Sequence, residues 1–275
     1  MPRFANKVVI VTGSSAGIGK TLIIAFAKEG ASVVLHGTNS GRLADAEKAL
    51  LAAGIPEKRI LRIQGQLNDD AVQEKLINET VDHFGKIDVL VNNAGVYKKP
   101  GEANAIENYD YVFDINVRAV FRLVELAVPH LEKTRGNIVN ISSIFSEMKA
   151  IDAGIDGVVY GMSKAAVDRF TKNISQSLMK KGIRINSINP GPFESNIHGR
   201  SLGVETTASE TAEKTDGLVK ILSKTTAIGR FGRPEELVAP TLLLADEKSE
   251  FITGSIWAVD GGMTNWAPEP TDLVL

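Results

Sequence analysis

The chain has 275 residues, with 31 Lys and Arg against 33 Asp and Glu and a formal net charge of −2, so no global basic field marks it as a binder of nucleic acid or anionic membrane. Zero cysteines exclude disulfides, a thiol nucleophile and thiolate metal sites. No apolar run reaches the ~18 residues of a membrane span, and Met1 to Phe4 lead into a strand-like segment without a signal-peptide core, so a cytoplasmic chain without membrane or metal partners is expected.

Lys7 to Val11 is a short apolar run ending at a glycine turn, the pattern of a buried parallel strand. A helix is expected from Gly17 to Glu29, stopped by Gly30. Ser32 to Leu35 reads as strand, Arg42 to Ala53 as helix, Arg59 to Ile63 as strand and Asp69 to Phe84 as amphipathic helix. Ile87 to Val91 is a fourth strand, Tyr109 to Leu131 a long helix and Asn137 to Ile141 a fifth strand. Val159 to Lys180 is helix, Arg184 to Ile188 strand, Glu235 to Ala245 helix and Ser255 to Val259 the last strand. This alternation predicts an α/β fold, a doubly wound parallel sheet of about seven strands with helices on both faces. No linker divides it, so a single domain spanning 1–275 is expected. Pro192 to Arg230 breaks the pattern, being polar and rich in Ser, Thr and Gly, and is expected to act as a substrate lid.

Gly13, Gly17 and Gly19 form a turn between a strand and a helix. Glycines allow close backbone approach to phosphate, and the helix N-terminus supplies N–H donors. The spacing departs from the usual dinucleotide fingerprint, and a plain strand-to-helix turn would serve the same sequence. The same residues, Gly13 to Gly17, also match the nucleophile elbow of serine hydrolases, with Ser15 as nucleophile. That rival is disfavoured. One strand precedes the turn, where the elbow draws an oxyanion donor from an earlier one, and His198 is alone in the C-terminal half with no evident orienting acid.

Tyr160 and Lys164 stand four residues apart, on one face of a helix. An ammonium near a phenol favours the phenolate, so a lowered Tyr160 pKa is expected, which would fit it for proton exchange with a carbonyl or alcohol. An ordinary packed Tyr beside a solvated Lys has the same spacing. Asn140 to Ser143 ends the fifth strand, where a serine could bond a substrate oxygen, and Asn92 to Gly95 ends the fourth. Asn116 sits mid-helix among apolar residues and needs partners.

Together, Thr12-Gly13-x3-Gly17-Ile18-Gly19, Asn92-Asn93-Ala94-Gly95, Asn116, Ser143, Tyr160-x3-Lys164, Pro190-Gly191 and Asp260-Gly261-Gly262 resemble the short-chain dehydrogenase/reductases, in family order and over nearly the whole chain. The resemblance implies a Rossmann-type sheet of order 3-2-1-4-5-6-7 and hydride transfer between a nicotinamide dinucleotide and a small-molecule carbonyl or secondary alcohol. It implies a tetrad: Tyr160 as acid/base, Lys164 lowering its pKa and binding the nicotinamide ribose, Ser143 polarising the substrate oxygen and Asn116 holding a relay water. It assigns cofactor contacts to Gly13, Ser15, Gly17, Ile18 and Gly19 at the turn, and to Thr38, Gln66, Leu67, Asn93, Ala94 and Gly95 along the sheet edge. Tyr160, Lys164, Pro190, Gly191 and Ser195 complete that set. Three departures are visible. The segment between Ser143 and Tyr160 is long, leaving Ser142 as a minor alternative and enlarging a pocket wall from Phe145 to Val158. Gln66-Leu67 replaces a common Asp, and Ser195 replaces a threonine. Members of this kind resemble glucose dehydrogenases, tropinone reductases and 3-oxoacyl reductases. A regulator that binds the cofactor without catalysis would be expected to lack Tyr160 or Lys164.

The residues after the second strand, His36 to Arg42, contain no acid to repel a 2′-phosphate, so NADP(H) is expected, with NAD(H) as the alternative. Gly37 is expected to leave room for the phosphate and Thr38, Asn39 and Ser40 to offer donors. Val120, Leu123, Val124 and Ala127 crowd one long helix with apolar groups, so a homo-tetramer, or at least a dimer, is expected.

Overall fold

The structure, a computed structural model, describes residues 2–101, 103–148, 154–194 and 225–265. Strands β1 (Val8–Val11), β2 (Ser32–Gly37), β3 (Ile60–Gln64), β4 (Val89–Asn92), β5 (Asn137–Ile141), β6 (Arg184–Pro190) and β7 (Ile256–Val259) form one sheet in the order β3-β2-β1-β4-β5-β6-β7. Every pairing is parallel. Between the strands run helices α1 (Gly17–Lys28), α2 (Ser40–Ala52), α3 (Asp70–Phe84), α4 (Ala105–Phe113), α5 (Ala119–Thr134), α6 (Gly154–Met179) and α7 (Val238–Ala245). The order is the Rossmann-type order that the resemblance implied.

The apolar strands require this layering. Successive β1 side chains face opposite ways. Val9 and Val11 pack with Leu22 and Phe26 of α1, Leu43 of α2 and Leu242 of α7. Ile10 packs with Leu76 of α3, Leu123 of α5 and Ile185 of β6 on the other face. Both layers are dry, and truncating a fully buried Phe26 to Ala would cost about 3–5 kcal/mol. Because all strands run one way, their carboxyl ends share one edge. The turns after β1, β4, β5 and β6 leave from it.

The long helix expected from Tyr109 to Leu131 differs from what forms. It starts earlier, at Ala105, because Asn104 caps it, its Oδ1 accepting from the N–H groups of Ile106 and Glu107 at 3.0 Å. A π-helical turn, Asp114–Arg118, then divides α4 from α5. Val120, Leu123, Val124 and Ala127 are all buried within the chain, so they are not the surplus surface from which an assembly was expected. The large apolar side chains exposed on α4, α5 and α6 include Ile106, Tyr109, Phe121, Ile155, Val158, Met162 and Met179.

Candidate active site

The turn after β1 carries the strain its glycines were expected to absorb. Gly13 and Gly17 have φ of +65° and +54°, a region that L side chains avoid. A Cβ on Gly13 would meet the Ala94 backbone at 2.9 Å, and one on Gly19 would meet Gly13 O at 2.5 Å. Thr12 and Asn93 latch the turn to the end of β4. Thr12 Oγ1 accepts from the N–H groups of Asn93 and Ala94, both at 3.0 Å, while Asn93 Nδ2 donates to Thr12 O at 2.8 Å. Helix α1 begins here with Ala16 as its cap, which brings no side-chain acceptor, and with no acidic residue in its first turn.

His36 braces the turn from β2, a role its position in a buried strand did not reveal. It is 2% exposed. Its Nδ1 accepts from Gly13 N–H at 3.2 Å, which leaves the proton on Nε2 to donate to Gly65 O at 3.2 Å. Its backbone N–H donates to Ser14 Oγ at 3.0 Å and its carbonyl accepts from Ser14 N–H at 2.8 Å. Burial pulls the imidazole down to about 4, so it is neutral. Both ring nitrogens are engaged, so His36 cannot serve Ser15 as a base; His198 lies outside the described residues. Ser15 instead packs against Gly37, where a Cβ would stand 2.6 Å from Ser15 Oγ. The space expected at Gly37 is therefore taken by the glycine turn itself. Asn39 caps α2 by accepting from Arg42 N–H at 2.9 Å, and Thr38 lies exposed beside it. Gln66 is exposed, whereas Leu67 is buried with its carbonyl accepting from Gln73 Nε2.

The residues expected to form the tetrad come from the turn after β5, the π turn and α6. Ser143 caps the 3-10 turn Ile144–Ser146, its Oγ accepting from Phe145 N–H at 3.2 Å. Its side chain stands close enough to the Tyr160 phenol to favour the phenolate against the effect of burial. Ser142 faces away and donates to Lys164 O at 3.1 Å, which removes it as the serine beside Tyr160. Lys164 Nζ donates to Ile141 O at 2.9 Å and lies 5.7 Å from the Tyr160 ring centroid. Asn116, in the π turn, has Oδ1 accepting from Val96 N–H and Nδ2 donating to Val96 O, both at 2.9 Å, and Nδ2 also donates to Ser163 Oγ at 3.0 Å. Ser163 in turn donates to Tyr160 O at 2.7 Å. A Cβ on Gly95 would stand 3.3 Å from Lys164 Nζ and 3.4 Å from Asn116 Oδ1, so the lack of a side chain at this glycine leaves a gap between them.

The electrostatics differ from the expectation. Burial pushes the Tyr160 phenol up to about 12, with the nearby Ser143 side chain opposing. Burial also pulls the Lys164 ammonium down to about 8, with the Asp168 carboxylate opposing. The ammonium is spent on a carbonyl rather than on the phenol, so desolvation outweighs charge attraction for both groups.

Beneath the pair is a polar network that the spacing argument missed. Asp168, 6% exposed, accepts from Ser187 Oγ at 2.9 Å and Asn189 Nδ2 at 2.6 Å. Its place four residues after Lys164 was the available signal. A second chain ties the strands to α6: Asn92 Nδ2 donates to Asn140 Oδ1, and Asn140 Nδ2 to Thr171 Oγ1, both at 2.9 Å. Gly191, after β6, packs so closely on Asp260 that a Cβ would meet its Cα at 2.6 Å, which accounts for the pairing of Pro190-Gly191 with Asp260-Gly261-Gly262. Ser195 and most of the 192–230 segment lie outside the described residues. Its ends meet: Glu194 N–H donates to Gly232 O and Gly232 N–H to Pro192 O, both at 2.9 Å.

Comparison with known proteins agrees with this geometry. A family model described as enoyl-(acyl carrier protein) reductase matches residues 13–264. A short-chain dehydrogenase/reductase of unknown function from Caenorhabditis elegans, solved with cofactor, superposes with a TM-score of 0.86 at 36% identity, over 96% of this chain and 97% of that one. The chain belongs to the short-chain dehydrogenase/reductase family. This dehydrogenase/reductase is also similar to a glucose dehydrogenase of C. elegans, with a TM-score of 0.76 and 37% identity over 95% and 99% of the two chains. It is 33% identical to a 3-oxoacyl-[acyl-carrier-protein] reductase of Thermotoga maritima, over 95% of this chain and 99% of that one. As a short-chain dehydrogenase/reductase it is an oxidoreductase that binds a nicotinamide dinucleotide and acts on CH–OH groups.

The residues present fit that dinucleotide. The first turn of α1 offers N–H groups that no capping side chain accepts, and Gly17 has open space around its Cα. Among the described residues, no group of three metal-ligating side chains could hold an ion, and no helix is long and apolar enough to cross a membrane.

Proposed function

We propose that the chain transfers hydride between NADP(H), with NAD(H) as the alternative cofactor, and the carbonyl or secondary alcohol of a small molecule, using Asn116, Ser143, Tyr160 and Lys164. The observation that carries this reading is the clustering of Ser143 and Tyr160, with the Lys164 ammonium 5.7 Å from the phenol ring centroid. A nicotinamide ring held beside them supplies or takes up the hydride. Ser143 donates to the substrate oxygen and fixes it at the phenol. Tyr160, protonated at neutral pH because its pKa stands near 12, is in the form that gives its proton to a carbonyl oxygen. Lys164 holds the ribose and offsets the charge left on the phenol. Asn116 fixes the loop after β4 against α6, and the gap at Gly95 between Asn116 Oδ1 and Lys164 Nζ suits a relay water.

The NADP(H) assignment rests on the absence of an acid from His36 to Arg42 and on the exposed Thr38. The glycine turn, Thr38, Gln66, Leu67, Asn93 to Gly95, Pro190, Gly191 and Ser195 would line the cofactor, and residues 192–230 would cover the substrate as a lid on a single domain. The outward apolar groups of α4, α5 and α6, among them Phe121, whose ring lies 5.5 Å from Phe170 at a tilt of 58°, support a homo-tetramer or dimer in the cytoplasm. The test is oxidation of NADPH and NADH with a panel of ketones, followed by absorbance. Cofactor binding without turnover of any ketone or alcohol would sink the reading.

A further inference from the structure

Tyr160 does not stand alone at the site. The Tyr97 ring lies 5.3 Å from it, tilted at 45°, and the Phe145 ring lies 5.9 Å away at 69°. Tyr160 is 9% exposed, whereas Tyr97 and Phe145 are half-buried. The three rings therefore form an inclined aromatic wall beside Ser143 and the Tyr160 hydroxyl, and the two outer rings carry its open part.

Both outer rings are held in place from behind. Asn116 clamps Val96 with two hydrogen bonds. Asn108, 3% exposed, accepts from Lys99 N–H at 2.8 Å and donates to Asp156 Oδ1 at 3.0 Å. Tyr97 thus sits between two fixed points of backbone. Phe145 rides on the Ser143-capped turn, which packs on α6 so tightly that a Cβ on Gly161 would come within 2.9 Å of Phe145 O. Rings positioned before binding lose little entropy on contact.

Among the described residues, the charged groups that follow Tyr97 are paired. Lys98 lies 3.9 Å from Asp156, and Lys99 lies 3.7 Å from Glu107. Each lysine after Tyr97 is matched by a carboxylate, so these residues offer no net charge to an ionic substrate. Asn108 is bonded at both ends, so it is not open to the hydroxyls of a sugar.

We propose that Tyr97 and Phe145 are specificity-determining residues, and that the substrate is an uncharged ketone or alcohol bearing a flat, apolar ring next to the reacting carbon. A carbonyl oxygen placed on Ser143 and Tyr160 lays that ring on the aromatic face, where stacking adds to apolar burial. This rests on the oxidoreductase reading above.

The test compares kcat/KM for 1-tetralone, reduced with NADPH, with the values for acetoacetyl-CoA and for glucose oxidation with NADP+. The bicyclic ketone is expected to lead by at least about tenfold. Tyr97→Ala and Phe145→Ala should each raise its KM by about tenfold with kcat nearly unchanged, and Tyr97→Phe should restore the KM. Enhancement of NADPH fluorescence on binding, kept in each variant, shows that the fold is intact. Preference for glucose or the thioester, or an unchanged KM in both Ala variants, overturns the assignment and leaves the oxidoreductase reading standing. No turnover of any of the three, with NADPH still bound, overturns both.

Discussion

Lys164 gives the site a pH signature that can be read without substrate. Its side chain is buried, and burial sets its pKa near 8 rather than 10.5. Below about 8 the residue is protonated in both folded and unfolded chains, and the folded state bears the cost of a buried charge. Above 10.5 it is neutral in both, and the cost is gone. Between these values the unfolded chain binds the proton and the folded chain does not, so stability rises with pH across that window. At about 1.4 kcal/mol per pH unit, the whole window is worth about 3 kcal/mol. Lys164→Met keeps the apolar stem and removes the titration. Both proteins should also carry Tyr160→Phe, so that the neighbouring phenol does not titrate with it. Urea unfolding from neutral pH to about 10.5 should then show the lysine form gaining about 3 kcal/mol on the methionine form. A difference constant to within about 1 kcal/mol, or one that moves the other way, would refute the claim that desolvation governs this ammonium.

The remaining predictions concern turnover. Tyr160→Phe should lower kcat by about 10²–10⁴ while cofactor affinity, measured by fluorescence titration, stays within a few fold. Ser143→Ala should cost about 10² in kcat, whereas Ser142→Ala should cost about 1 kcal/mol of stability and spare the chemistry, because its hydroxyl faces the Lys164 carbonyl. Asp168→Asn removes the charge that holds the Lys164 pKa up, so the alkaline gain in stability should begin at lower pH. Thr38→Asp should shift the ratio of kcat/KM toward NADH by about tenfold or more and Thr38→Arg toward NADPH, read from steady-state rates with both cofactors.

Much of the architecture was legible because its signals are local. Apolar runs such as Val8–Val11, each closed by a glycine turn, carry both the strand and its burial on two faces. The errors fall where a single polar contact decides. Asn104 started α4 four residues before the apolar pattern at Tyr109, and the π turn at Asp114–Arg118 left no mark in that pattern. Ser143, Tyr160 and Lys164 could be singled out from Ser143's place just after β5 and the four-residue spacing of the other two, and the fold brings the three together. Their electrostatics could not be read that way. Proximity of Tyr160 to Lys164 suggested a lowered phenol pKa, yet the ammonium is turned to Ile141 O. Which partner a buried charge takes depends on the fold, not on spacing.

His36 and Gly37 show the same limit from the other direction. Read as a loop after the second strand, Gly37 looked like room for a phosphate. In the fold, Ser15 fills that room and His36 pins Gly13 through its ring. The two residues therefore belong to the phosphate turn, although more than twenty positions separate them from it in sequence. A carboxylate at Gly37 would push Ser15 and the turn away before it could repel a 2′-phosphate. Gly37→Asp should weaken both cofactors together, with NADPH and NADH dissociation constants rising in parallel in fluorescence titrations. A clean reversal of preference in that variant would show instead that Ser15 yields and that the space beside β2 does belong to the ribose.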